Sequence, residues 1–306
     1  MKNKLLDILK GAILGLDSTI PGFSMGTLAV FLNIYERLIE SISILTKHPL
    51  KAIKDIWAIA VGFVIGLVLN ILGITYLLKN FPFQTVMFFV GLVIVSIPIT
   101  YIKQIKEKLK IRDFIAFFIS LTVIVGVSLL NAGAAKEISL SPIFLIMMVL
   151  VGAIGLGTMI IPGVSGSMII MALGYYDAVM EIFNKMLHIF TSIKEEYFYV
   201  YVLSLLLFTI GALVGVILVS KAIKALLNKY HTTVYSSILG LLVGSPFSII
   251  YLTVNKYEID FSSVPLIIIS VVTLILGGAF GILISKFEKD NPKEEKNETN
   301  EITTSE

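Results

Sequence analysis

The chain contains no cysteine, which excludes a disulfide, a thiolate metal site and a cysteine nucleophile. It has only three histidines, His48, His188 and His231, each near a predicted loop or membrane edge, so a histidine-built metal centre is not expected. Arginine is almost absent, with Arg37 and Arg112 the only two. Charge of either sign is scarce: 15% of the 306 residues are charged and the formal net charge is +3. That is too little to clothe a soluble domain of this length. What is abundant is apolar, 57% of residues, with a mean hydropathy of +0.94, and that excess must face lipid. Lys2 and Lys4 precede an apolar run, but Asp7 and Lys10 interrupt it and no small-residue cleavage site follows, so the segment is read as retained.

A helix that crosses a bilayer needs roughly 20 mostly apolar residues. Six segments meet this test: 57–78, 84–102, 114–130, 198–219, 233–252 and 264–284. Two longer stretches, 5–46 and 143–189, are interrupted near their centres by Pro-Gly. The tail 287–306 is polar and charged and is expected to be disordered.

The two broken stretches are related. Ile20-Pro21-Gly22-Phe23-Ser24 corresponds to Ile161-Pro162-Gly163-Val164-Ser165 at an offset of 141 residues. At that offset Tyr35 meets Tyr176, Glu36 meets Asp177 and Glu40 meets Glu181. Further on the offset drifts to 149, where Gly62 and Gly66 meet Gly211 and Gly215, and Gly91 meets Gly240. The expected fold is therefore an all-α polytopic membrane protein of two inverted-topology repeats, 1–135 and 142–286. Each is a Pro-Gly-broken re-entrant hairpin (5–46, 143–189) followed by three transmembrane helices. Three crossings per repeat would invert the second copy. With the amino terminus inside, eighteen of the 24 basic residues fall in inside segments and five in outside ones, Arg37 lying within the first hairpin. Both termini are then cytoplasmic.

Irregular backbone at mid-membrane depth is tolerated where it is buried in protein or lines a wet cavity. Transporters use such breaks in pairs to build an anion site at the midplane. The expected binding set is Pro21, Gly22, Ser24, Gly26 and Thr27 in one copy and Pro162, Gly163, Ser165, Gly166 and Ser167 in the other. Ser24 and Ser165 also suit a plain N-cap role. A straight helix from Ser24 would carry Arg37 about 20 Å from the break, to the membrane surface with Glu36 and Glu40. Asp177 and Glu181 would follow in the second copy. These charges read either as an interfacial salt-bridged cluster or, for Arg37, as a contact to a phosphate at the cytoplasmic mouth. Asp17, the one carboxylate near the break, is a candidate proton carrier or a helix cap. The glycine pairs Gly62/Gly66, Gly211/Gly215 and Gly240/Gly244 are read as close helix packing, with homo-oligomer formation a second use.

The string IPGFSMGTLAVFLNIYERLIESI resembles the signature of the bacterial polyprenyl-phosphate transporter family, through Pro21, Gly22, Ser24, Gly26, Thr27, Tyr35, Glu36, Arg37 and Leu38. Met25 stands where the family pattern has glycine. The resemblance implies an undecaprenyl-phosphate translocase of the bacterial cytoplasmic membrane. It would return the lipid carrier from the outer to the inner leaflet for cell-wall synthesis, with no cofactor and no nucleic-acid partner. Three other readings remain. A transporter of a small soluble anion would show the same site. A polyprenyl-pyrophosphate phosphatase would need an arginine after the loop serine, where Met25 and Gly166 stand. A serine protease built on Gly163-Val164-Ser165-Gly166 would need a nearby base.

Overall fold

A computed structural model describes residues 2–16, 24–129, 136–187 and 198–289. Asp17, Pro21, Gly22, His188 and the tail from 290 lie outside the described residues. All regular structure among the described residues is helical. In the first half, α1 (Lys2–Leu16) leads to the first break, α2 (Met25–Phe31), α3 (Tyr35–Ile44), α4 (Pro49–Leu69), a π turn (Asn70–Ile74), α5 (Thr75–Asn80), α6 (Pro82–Gln104) and α7 (Ile111–Ser128). In the second, α8 (Pro142–Met159) leads to the second break, α9 (Gly166–Ala172), α10 (Tyr176–Leu187), α11 (Phe198–Tyr257) and α12 (Val264–Lys289). Six of these helices are long and apolar enough to span a membrane, and the bent pair α9–α10 passes the same test jointly. Their outer faces carry exposed Val, Ile, Leu and Phe, such as Ile143, Leu218 and Ile275, as a lipid-facing surface requires.

One expectation holds and one changes in detail. The spans at 198–219 and 233–252 are two helices that follow each other across a kink within α11, where Tyr230 leaves helical geometry, at φ −139° and ψ 46°. Phe81, 149 residues earlier, has nearly the same angles, −137° and 56°, between α5 and α6. In the first half Pro82 follows the bend, so the helix visibly stops. In the second His231 follows it, and the bend is marked only by the basic gap between the two apolar spans, with Lys221, Lys224 and Lys229.

The change is in the hairpins. No straight helix carries Arg37 away from the break, because α2 and α9 each stop after seven residues. Asn33 and Gly174, 141 apart, adopt positive φ of 53° and 78°. After them Ile34 N donates to Ala29 O and Tyr175 N to Ile170 O, the long bond of a Schellman helix end. The chain then turns by 117° between α9 and α10. Both broken stretches come back to the end at which they started. Tyr175 packs its ring on Phe144 at the start of α8, and Arg37 reaches Asp7 in α1.

Glycine sets the closest helix contacts, and the same ones recur in both halves. A methyl on Gly11 would lie 2.1 Å from Ile59 O, and one on Gly152 would lie 2.2 Å from Phe208 O. Gly62 and Gly66 press on Ile8 and Ala12, as Gly211 and Gly215 press on Val149 and Ala153. Partners shift by 141 on the hairpin helix and by 149 on the next, the offsets read from sequence. The later helices exchange between halves: Gly91 in α6 meets Leu274 in α12, and Gly240 in α11 meets Phe117 in α7. These glycines serve packing within one chain.

Candidate functional site

The two breaks meet. Ser24 is the N-cap of α2: its Oγ accepts from Gly26 N at 3.2 Å and lies 3.2 Å from Met159 O and 3.0 Å from Ile161 O. These carbonyls fall where α8 ends and can no longer be used inside a helix. Thr27 Oγ1, one residue into the same turn, accepts from Gly163 N at 2.8 Å. Gly26 lies flat between them, where a methyl would come 2.4 Å from Ile160 O and 2.8 Å from Pro162 N. Gly163 holds φ +81° with Leu241 and Ser245 of α11 against its Cα, so both its conformation and its surroundings demand glycine. Ser24, Gly26, Thr27, Pro162 and Gly163 are thus brought into one buried knot from residues more than 130 positions apart.

Ser165, Gly166 and Ser167 continue from that knot. Ser165 occupies the N-cap position of α9 without a side-chain cap bond, and its Oγ pairs with Ser167 Oγ at 2.8 Å. Gly166 is pressed on Gly155 O. The hydroxyls and small residues at the centre provide neutral donors, with no cation placed among them by any described contact.

The charged candidates lie elsewhere. Arg37 donates to both oxygens of Asp7 at 3.0 and 3.2 Å, to Asp55 Oδ1 at 3.2 Å and to the Asp55 carbonyl. Ser41 completes this cluster by donating to Asp55. Of the two readings of Arg37, the salt-bridged cluster is the one these contacts describe. Glu36 accepts from Tyr235 Oη at 2.6 Å and faces His231 Nε2 at 3.2 Å, and Glu40 pairs with Lys224 at 3.0 Å. α3 is therefore tied to α1 and α4 on one side and to α11 on the other. In the second copy Glu181 accepts only from Tyr201 Oη among its described contacts, at 3.1 Å, and Asp177 is exposed.

Sequence reasoning overlooked Asp55, Ser41 and Asn70, and read Asp7 only as an interruption. Asn70 is fully buried at the π turn and donates to Leu16 O, the last carbonyl of α1 before the first break. A lone amide inside an apolar run was the available signal.

The chain is a multi-pass helical bundle whose two broken hairpins meet in a buried knot, and its family and relatives make it a membrane transporter, not an enzyme. The chain belongs to the undecaprenyl phosphate translocase-like family (VCA0040-like), whose model matches residues 14–263. It is 27% identical over 257 residues to the polyprenyl-phosphate transporter of Vibrio cholerae serotype O1, covering 79% of this chain and 76% of that protein. It is 29% identical over 283 residues to the polyprenyl-phosphate transporter of Staphylococcus aureus, covering 90% and 96%. No solved structure matches the chain.

Proposed function

We propose that the protein carries undecaprenyl phosphate, or a close polyprenyl phosphate, from the outer to the inner leaflet of the bacterial cytoplasmic membrane, for reuse in cell-wall synthesis. The observation that carries this reading is the central knot. Two helix breaks meet there, and they bring hydroxyls and unhelical backbone to a place where lipid offers neither. A phosphate headgroup can use such donors while its prenyl chain stays in lipid. The relatives named polyprenyl-phosphate transporter supply the substrate class.

On this reading the two halves are an inverted repeat with both termini cytoplasmic. Lys79, beside the Phe81 bend, counts as outside and Lys229, beside the Tyr230 bend, as inside, so equivalent bends fall on opposite faces. The headgroup passes inward as the halves rock about the knot. Asp17 is the candidate proton carrier.

The test is reconstitution in liposomes containing undecaprenyl phosphate, with a headgroup-binding probe outside. Protein-dependent loss of outward headgroups, unaffected by millimolar inorganic phosphate, is the expected result. Loss abolished by inorganic phosphate would make the protein a small-anion carrier. No loss above protein-free vesicles, with and without a pH gradient, would sink the lipid reading.

A further inference from the structure

We propose that the bend at Tyr230 seats an anionic phospholipid, with Arg112 and Lys229 on its headgroup phosphate and its acyl chains along Ile115 and Leu226. The inference does not depend on which lipid the protein carries.

Two cations share one ring at this bend. Arg112 Cζ lies 5.3 Å from the centre of the Tyr230 ring, and Lys229 Nζ lies 5.2 Å from it. Each is attracted to the ring, and the two repel each other. One comes from the first turn of α7 and the other from the residue before the bend in α11, so the fold brings them together from distant stretches of chain.

Protein carboxylates do little to offset these charges. Asp113 Oδ1 lies 3.6 Å from Arg112 Nε, but that carboxylate is buried and already accepts from Thr233 Oγ1 and from Lys110 N. Lys229 has no carboxylate within ion-pair distance among the described residues. The segment 103–112 adds to the excess, with five cations against one carboxylate, Glu107. Lys106, Lys108, Lys110, Arg112 and Lys229 are all exposed.

Bare aliphatic surface adjoins the cations. Ile115 follows Arg112 by one helical turn and Leu226 precedes Lys229 by one, so each shares its cation's face. They are 53% and 49% exposed. Basic clusters next to a membrane span attract anionic lipid, and the aliphatic strip selects a ligand with chains. A free phosphate would leave that strip unused.

The twin bend shows that the fold does not need these charges. Phe81 stands 149 residues before Tyr230, and Asn80 stands in the place of Lys229. Phe81 is half exposed with no cation on its ring among the described contacts, and nearby Phe261 packs edge-on against Phe83 at 5.2 Å. A bend that required cations to form would carry them twice.

The test titrates the full chain in detergent with phosphatidylglycerol, phosphatidylcholine, farnesyl phosphate and inorganic phosphate, reading the unfolding temperature. Phosphatidylglycerol is expected to stabilise wild type at concentrations where phosphatidylcholine does not. Arg112→Gln/Lys229→Gln should raise the half-effective phosphatidylglycerol concentration on the order of tenfold. Lys229→Gln alone should raise it less, yet unfold no earlier than wild type without lipid, because it loses a repulsion and no ion pair. That variant separates lost binding from lost folding. Lys79→Gln/Lys256→Gln removes the same charge at other exposed positions and should leave the titration unchanged. Equal stabilisation by phosphatidylcholine, or equal responses of the two double variants, would overturn the proposal. Competition by millimolar inorganic phosphate would make the bend a free-phosphate site. Displacement of phosphatidylglycerol by an equal concentration of farnesyl phosphate would give the bend to the carried lipid. Either result overturns the phospholipid assignment, and neither bears on whether the protein moves lipid.

Discussion

At the root of the first hairpin, Asp7 of α1, Arg37 and Ser41 of α3 and Asp55 of α4 form a bonded cluster. At the root of the second, the positions 141 and 149 further on are Met148 of α8, Ala178 and Ile182 of α10 and Ser204 of α11. All four are buried, with 0 to 2% of their surface exposed. The backbone frame around them recurs, down to the glycine contacts between hairpin helix and following helix. One copy closes this junction with charges and the other with three packed apolar side chains and a buried serine. The molecule thus contains its own control: the frame does not require the ions. Even fully buried ion clusters are often replaceable by apolar groups at no cost, and this one is only partly buried, so its presence on one side points to a task there. The task we infer is that this junction can be opened by water, where its counterpart cannot.

Breaking the cluster should have the largest effect. Arg37→Met leaves Asp7 and Asp55 without their shared cation, in a setting where Asp7 keeps only 12% of its side chain exposed. Asp55 is 39% exposed and Lys4 lies 3.9 Å from Asp7, so solvent and that lysine soften the loss to about 2 kcal/mol, seen as early unfolding in detergent. Sharpening the comparison means transplanting the second copy's set. Asp7→Met, Arg37→Ala, Ser41→Ile and Asp55→Ser together should return stability to within about 1 kcal/mol of wild type, since volume and pattern are kept. Lipid translocation should nevertheless fall. A quadruple variant as unstable as Arg37→Met would show that the two junctions are not equivalent. One as active as wild type would leave the charges without a task.

The breaks allow a second comparison at smaller scale. Gly26→Ala puts a methyl 2.4 Å from Ile160 O, a backbone atom that cannot swing aside. About 2 kcal/mol of stability should be lost. At the equivalent position Ser167→Ala meets no such wall and should cost under about 0.5 kcal/mol. Similar losses at both would mean that the second break is packed as tightly as the first.

Much of this frame is legible in the chain. Pro-Gly at 21–22 and 162–163 marks the breaks, and both offsets reappear as contact offsets in the structure. The helix ends at Asn33 and Gly174 were legible too, since Asn and Gly are the residues that take the left-handed cap, but apolar periodicity outweighed them. The bend at Tyr230 was legible as the gap between two apolar spans, but its residue was not, because its twin at Phe81 is flagged by proline and it is not. The Asp7–Arg37–Asp55 cluster spans 48 residues of chain, and Ser24 finds its carbonyl partners 135 and 137 positions away. Local pattern fixes which residues can form a helix or a break. It does not say which break leans on which, because that depends on how glycines let two helices settle.

Ser204 offers the finest probe of the junctions. It stands where Asp55 stands in the first copy, it is fully buried, and its hydroxyl has no partner. Thr209, Ser245 and Thr253, on the same helix α11, each return their hydroxyl to the carbonyl four residues back. Ser204 carries the desolvation cost of a polar group without that compensation. Ser204→Ala should therefore stabilise the protein by up to about 1 kcal/mol and leave translocation unchanged. Asp55→Ala, the same change at the same place in the other copy, should move stability the opposite way, because it strips Arg37 and Ser41 of an acceptor. Unfolding midpoints of the two variants, measured side by side, give the sign of each. Equal signs would mean that Asp55 is as dispensable as Ser204, and the asymmetry between the junctions would then lie in Asp7 and Arg37 alone.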